Sequence, residues 1–221
     1  TRRSSDLTIA DIKAYKPESN SIGSGQVLHC GTDFDKTKII VREMTEMLVL
    51  DLVSKNLVTD QIVLTIGYDR ENLMDPVRMI NYKGEYSIDQ YGRKIPKHAH
   101  GTVNLDSYTS STSVIVRAVL DLFSRIVDEN LLVRRINMSA NRVISEKEAK
   151  KDRYEQLNLF DMISEKEDAV DQEQLKKEKD IQKAVLDIKK KFGKNAILKG
   201  MSLQEGATAI DRNNQIGGHK A

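Results

Sequence analysis

Eleven residues scattered between Ser21 and Ser139 share a chemistry rather than a compact motif. Thr65, Thr102, Asn104, Arg135, Asn137 and Ser139 occupy the polar phase of segments whose alternate residues are apolar. Gln26 joins them, and Ser21, Ser24, His100 and Arg134 stand in adjoining loops. The arginines supply positive charge, while hydroxyls, amides and the backbone N–H groups around Gly23 and Gly25 supply neutral hydrogen bonds. Such a set suits contact with the phosphates of a nucleic-acid backbone. It does not suit base stacking, because the set brings at most one tyrosine to that surface.

A second constellation is shorter. Gln156, Leu157, Asn158, Leu159 and Phe160 read Q-L-N-L-F, set between the charge runs "SEKEAKKDR" and "SEKEDAVDQEQLKKEKD". An amide that can hydrogen-bond, followed by Leu and Phe side chains that can fill apolar pockets, makes a peptide anchor for another protein. So few contacts give an affinity on the order of micromolar. Two further candidates lead less far. His98 and His100 could share a strand face, but no nearby Cys, Asp or Glu completes a metal site at recognisable spacing. "NQIGGHKA" has two glycines without the spacing of a phosphate-binding loop.

The elements that must position these residues follow from periodicity. "SIGSGQVLHC" reads as a first strand, and Asp33 or Asp35 as the cap of a helix carrying Ile40, Met44, Met47, Leu48 and Leu52 at three- and four-residue steps. Ile62, Leu64, Ile66 and Tyr68 then alternate with Val63, Thr65 and Gly67, the mark of a strand. Residues 70–100, rich in Tyr, Gly, Asp and Lys, read as a long, partly hairpin-like loop. "GTVNLD" is a short strand, and "SYTSSTSVIVRAVLDLFSRIV" a second capped helix with Ile115, Ala118, Val119, Leu122, Phe123 and Ile126 on its apolar side. Ile136, Met138 and Ala140 alternate with Arg135, Asn137 and Ser139 in a last strand. The expected fold is therefore α+β: a four-stranded, mostly antiparallel sheet in the order strand, helix, strand, strand, helix, strand, with both helices on one face and the other face wet.

Length and composition set the frame. The 221 residues carry 39% apolar and 31% charged side chains with a net charge of +2, so any basic surface has to be local rather than global. The single cysteine, Cys30, excludes an internal disulfide framework, fits a reducing cytoplasm, and reads as a small buried apolar side chain. No apolar stretch is long enough for a membrane span. Residues 1–20 read as a linker, 21–144 as the globular domain and 145–180 as a charged tether. In residues 181–221, Ile181, Val185, Ile188 and Phe192 mark one face of a helix stopped by Gly193. Thr1 in place of Met points to a piece of a longer protein.

These pieces together resemble the C-terminal region of the Y-family DNA polymerases of the UmuC/DinB (ImpB/MucB/SamB) type. The residues that carry the resemblance are "DIKAYKPESNSIGSGQVL", "VTDQIVLTIGYD", "HGTVNL", "STSVIVRAVLDLFSRIV" and "LVRRINMSANRVI". "QLNLF" resembles the motif with which bacterial polymerases bind the sliding clamp. "DIKKKFGKNAILKGM" and "RNNQIGGHKA" resemble the extension of UmuC-like proteins from Firmicutes. The resemblance implies the little finger of an error-prone translesion polymerase, gripping damaged primer–template DNA and tethered to the clamp, with no membrane partner. "YSIDQ", residues 86–90, resembles the palm segment "YSIDE", yet Asp89 alone cannot assemble a metal pair. The resemblance places the catalytic carboxylates and their Mg2+ in a palm domain outside this chain. The chain itself is expected to hold no cofactor and to add no nucleotide. An RRM-like single-stranded RNA-binding module shares the strand and helix order, but the stacking aromatics are absent from the central strands.

Overall fold

The computed structural model describes residues 20–89, 91–149, 165–216 and 219–220. Strand β1 (Ile22–Thr32) leads to helix α1 (Phe34–Ser54), and β2 (Leu57–Tyr68) returns beneath it. A one-turn 3-10 segment (Arg70–Leu73), short helix α2 (Pro76–Asn81) and a hairpin of β3 (Tyr86–Ile88) and β4 (Lys94–Pro96) follow. β5 (Ala99–Thr109), helix α3 (Thr112–Ile126), β6 (Val133–Asn141) and β7 (Ile144–Ser145) complete the domain. Beyond it lie the long helix α4 (Glu165–Phe192), a 3-10 turn (Gly200–Leu203) and the five-residue helix α5 (Ala209–Asn213).

The main sheet runs β1-β6-β2-β5, with every pair antiparallel and β7 pairing with the start of β2. The expected α+β architecture, with its strand and helix order, is the one observed. Both long helices lie on one face because their apolar stripes have nowhere else to go. Ile40, Met44, Leu48 and Leu52 of α1 and Ile115, Val119, Leu122 and Phe123 of α3 are buried. They pack against Ile62, Leu64 and Ile66 of β2 and Ile136, Met138 and Ala140 of β6. Phe34 and Phe123 join the two helices, with ring centroids 4.9 Å apart. Asp33 caps α1 by accepting the Lys36 N–H at 2.9 Å, and Ser111 caps α3.

The loop expected over residues 70–100 is more ordered than its composition implies. Asn72, fully buried, donates to the carbonyls of Asp69 and Leu132 and accepts the Leu132 N–H, which fastens the start of the insertion to the sheet. Polar side chains bound to backbone in this way leave no apolar period to read. Asp89 belongs to the turn between β3 and β4. Its Oδ1 accepts the Tyr91 and Arg93 N–H groups, both at 2.9 Å, and the Arg93 guanidinium holds its carboxyl below the usual carboxylate range.

α4 runs without a break through residues 180 and 181, where the composition divides tether from extension. Gly193 stops it with φ +98°. The face it presents to the domain is not the expected one. Ile181 and Phe192 are exposed, while Gln182 is buried and donates to the Ser110 carbonyl and the Thr112 hydroxyl. Glu178 accepts the Ser113 N–H at 2.9 Å and the Ser111 hydroxyl at 2.6 Å, so a carboxylate from α4 finishes the N-terminus of α3. Polar groups hold this helix to the domain together with Leu186, which packs against the core, and apolar periodicity does not register the polar contacts.

Candidate nucleic-acid interface

The face of the sheet away from the helices is a grid whose rows follow from strand register. Gly25, Asn137, Thr65 and His100 form one row across β1, β6, β2 and β5, and Gly23, Ser139, Val63 and Thr102 form the next. Asn141, Gln61 and Asn104 make a third row over the last three strands. With strands about 4.8 Å apart, a four-strand row spans roughly 14 Å. Of the predicted residues, Thr65, His100, Thr102, Asn104, Arg135, Asn137 and Ser139 are brought together here.

Many of these side chains hold one another. Thr65 Oγ1 and His100 Nδ1 are 2.9 Å apart, Gln61 Nε2 donates to Asn104 Oδ1 at 2.9 Å, and the Ser139 hydroxyl donates to Asn141 Oδ1 at 3.1 Å. Arg142, in a left-handed backbone conformation with φ 49°, reaches over the edge to Asp60 Oδ1 at 2.8 Å and Asn104 Oδ1 at 2.9 Å. Short polar side chains bonded within the plane give a flat, preorganised surface. Arg135 stands apart from them: it is exposed and makes no hydrogen bond or ion pair among the described residues.

The first part of the β1 side of this face is bare backbone, because glycine occupies two successive outward positions before the exposed Val27, which stands opposite Arg135. A Cβ on Gly25 would lie 2.5 Å from Asn137 Oδ1, so glycine is required for the amide to lie across β1. A Cβ on Gly23 would make ordinary contacts, 3.4 Å from the Met138 carbonyl oxygen and 3.7 Å from Ser139 Cβ, so there glycine relieves no clash. Glycines in a strand interior mark a place where another backbone can come close.

Three predicted residues sit elsewhere than the pattern places them. Ser24 and Gln26 share the parity of Ile22 and Leu28, which face the helices, so both lie on the covered side of β1. Gln26 Nε2 donates to Thr208 Oγ1 at 3.1 Å and its Oε1 accepts from Arg212 Nη1 at 3.0 Å. Arg134 sits where β6 shifts register against β2. It is tied to the His29 carbonyl at 2.7 Å and lies 3.6 Å from the buried Asp69 carboxylate. Ser21 is exposed, one residue before β1. Cys30 is exposed too, because β1 departs from regular pairing between Val27 and Thr32 and its end no longer alternates cleanly. Gln61 and Asn141 belong to the grid and were missed. Their signal was the continued alternation beyond Ile62 and Ala140.

The clamp-binding candidates Gln156, Leu157, Asn158, Leu159 and Phe160 lie outside the described residues. Among the described residues there is no cluster of three or more His, Cys, Asp or Glu that could hold a metal ion, and no helix long and apolar enough to cross a membrane. The central strands β6 and β2 present no aromatic side chain to the open face; Tyr68, the aromatic of β2, is buried on the other side.

The family model of the impB/mucB/samB C-terminal domain matches residues 19–159, about the span from the start of β1 to well past β7. The chain belongs to this family. No curated protein matches the sequence. Among solved structures, the insertion ternary complex of Dbh DNA polymerase matches with a TM-score of 0.38 and 12% identity, over 62% of this chain and 33% of that one. The chain thus spans about a third of the length of that polymerase. The matched family region holds every residue of the open face, and α4 and α5 lie beyond it.

Proposed function

We propose that this chain is the DNA-binding region of a translesion polymerase and that the open sheet face grips the sugar–phosphate backbone of primer–template duplex. The observation that carries this reading is the composition of the face: bare glycine backbone along β1, a plane of mutually bonded Thr, Asn, Gln and Ser, and the unpaired guanidinium of Arg135. Neutral donors fix register on phosphates without reading bases, as a polymerase that copies any template requires. A row roughly 14 Å wide follows several phosphates, given an axial rise of about 3.4 Å per nucleotide on one strand. Nucleotide addition belongs to a palm domain carrying carboxylates and Mg2+, and this chain alone adds none.

The second half of the proposal is a tether. Gln156, Leu157, Leu159 and Phe160 anchor the protein to the sliding clamp, supported by their Q-L-x-L-F pattern between two charge runs.

The test measures binding of fluorescent primer–template duplex across a salt series. Each phosphate neutralised contributes about 0.9 to the log–log slope, so Arg135→Ala should reduce the slope by about 1 and weaken binding several-fold at low salt. A slope near zero in the unmodified protein rejects the DNA reading. In the same preparation, Leu159→Ala with Phe160→Ala should remove clamp binding and leave the DNA slope unchanged. Retention of clamp binding rejects the anchor.

A further inference from the structure

The β3–β4 hairpin carries what the open sheet face lacks. Tyr91 is 71% exposed and Tyr86 51% exposed, and both stand on this hairpin, whereas Tyr68 is buried in the core. The Arg93 guanidinium lies over the Tyr91 ring, 4.8 Å from its centroid, at cation–π range. Asp89 in turn holds Arg93 through two bonds, to Nε at 2.7 Å and to Nη2 at 2.6 Å. The turn is further fixed by the Asp89 N–H to the Arg93 carbonyl and by Gly92 at φ +74°, a conformation open to glycine. An exposed aromatic plate is thereby held in place by a buttress on the chain itself.

Charge and continuity indicate what the plate receives. Lys83 and Lys94 are exposed and make no ion pair among the described residues. β4 passes through Lys97 and the exposed His98 directly into β5, whose outward residues His100 and Thr102 belong to the sheet grid. The same strand path therefore joins a surface suited to duplex backbone with a surface suited to a single unpaired base.

We infer that the hairpin is a second nucleic-acid site, at which Tyr91, backed by Arg93, stacks on an unpaired base of the strand extending beyond the duplex while Lys94 and Lys83 meet its phosphates. Stacking on an aromatic side chain needs a free π-face, which every base of an unpaired strand can turn toward the ring while a duplex exposes one only at its ends, and it tolerates any base. The inference rests on the assignment of the open face to duplex, and it adds a preference for junctions over blunt ends.

The experiment compares the full chain on blunt duplex and on the same duplex with a single-stranded extension, using anisotropy at fixed salt. One stacked base at the low end of the usual range corresponds to a preference of roughly 5-fold for the extended DNA. Tyr91→Ala should abolish the preference and leave blunt affinity unchanged, and Tyr91→Phe should keep it, because the ring rather than the hydroxyl does the stacking. Tyr91 packs against little, so the variants fold; circular dichroism checks this. Equal binding of both DNAs by the unmodified protein overturns the hairpin site while a salt-dependent blunt affinity still supports the sheet. Loss of blunt and extended binding together in Tyr91→Ala, or a Phe variant indistinguishable from Ala, also overturns it. Failure to bind either DNA rejects both assignments.

Discussion

Consecutive residues of β6 serve opposite masters. Ile136, Met138 and Ala140 are sealed beneath α1 and α3, while Arg135, Asn137 and Ser139, each one position away, lie on the open grid. On the covered side, burial and shape complementarity fix each residue, since apolar area removed from water contributes roughly 25 cal/mol per Å2 and a void forfeits it. On the open side the side chains mostly satisfy one another, and the surface that results is flat. The comparison teaches that this sheet seals one face for stability and leaves the other free for the binding proposed above, with the strand pleat as the boundary.

The sharpest way to break that division is a pair of substitutions at neighbouring positions. Ile136→Ala should destabilise the domain by roughly 2–5 kcal/mol, read as a lower denaturant midpoint, because Ile136 is fully buried between the helix layer and its strand neighbours. Arg135→Ala should leave the midpoint within about 0.5 kcal/mol while weakening DNA binding, since its side chain is exposed and makes no hydrogen bond or ion pair among the described residues. If both changes cost comparable stability, the two faces are not separate in function.

How far this division could be read from sequence depends on the strand. Over residues 62–68 of β2, 99–105 of β5 and 135–140 of β6 the helix-facing positions are apolar at every second residue apart from Gly101, and the open positions are polar apart from Val63 and Gly67, so parity fixed both faces there. β1 offered no such contrast. Ile22, Ser24, Gln26 and Leu28 share one parity with two polar members, and Gly23 and Gly25 on the other parity carry no side chain to declare a face. A strand weakly specified in register is easily read one residue out, and such a slip exchanges the faces. Gln26 was read onto the open face for that reason, and Ser24 into a loop beside it. The C-terminal segment was illegible for another: its docking is polar and long-range, joining positions more than 160 residues apart, and no local period reports such pairs.

The covered face has a polar seam of its own, where α5 meets α1 and β1, and it tests whether that side tolerates charge. Glu43 is 3% exposed and its Oε2 accepts the N–H groups of Thr208 and Ala209, at 2.9 and 3.0 Å. Arg212 is close by; burial pushes its guanidinium pKa down, and the Glu43 carboxylate counters the shift. Glu43→Ala leaves those backbone donors without an acceptor and Arg212 without its counter-charge. The expected cost is roughly 2 kcal/mol, smaller than that of Ile136→Ala because α5 can lift away without opening the sheet. Hydrogen exchange should quicken at residues 208–213 and stay slow in β2 and β6. Uniform acceleration across the sheet would mean that the seam is part of the core rather than a fastening over it.

The smallest expected effect falls on Gln26, and it sharpens the comparison most directly. Gln26 lies one residue from Gly25, and Gly25 sits in the same row as Asn137 and Thr65. A residue that contacted DNA from β1 would have to project as the glycines do. Gln26 projects the other way and spends its amide on Thr208 and Arg212. Gln26→Ala should therefore cost about 1 kcal/mol of stability, the usual net value of part-buried hydrogen bonds, and leave both the affinity for primer–template duplex and its salt slope unchanged. Should the affinity for duplex instead fall several-fold at an unchanged salt slope, as the loss of a neutral hydrogen bond to phosphate would make it, the parity of β1 is wrong and the bare glycine backbone does not border the grid. The measurement thus decides whether the boundary between the two faces runs through β1 where the pairing of Gly25 with Asn137 puts it.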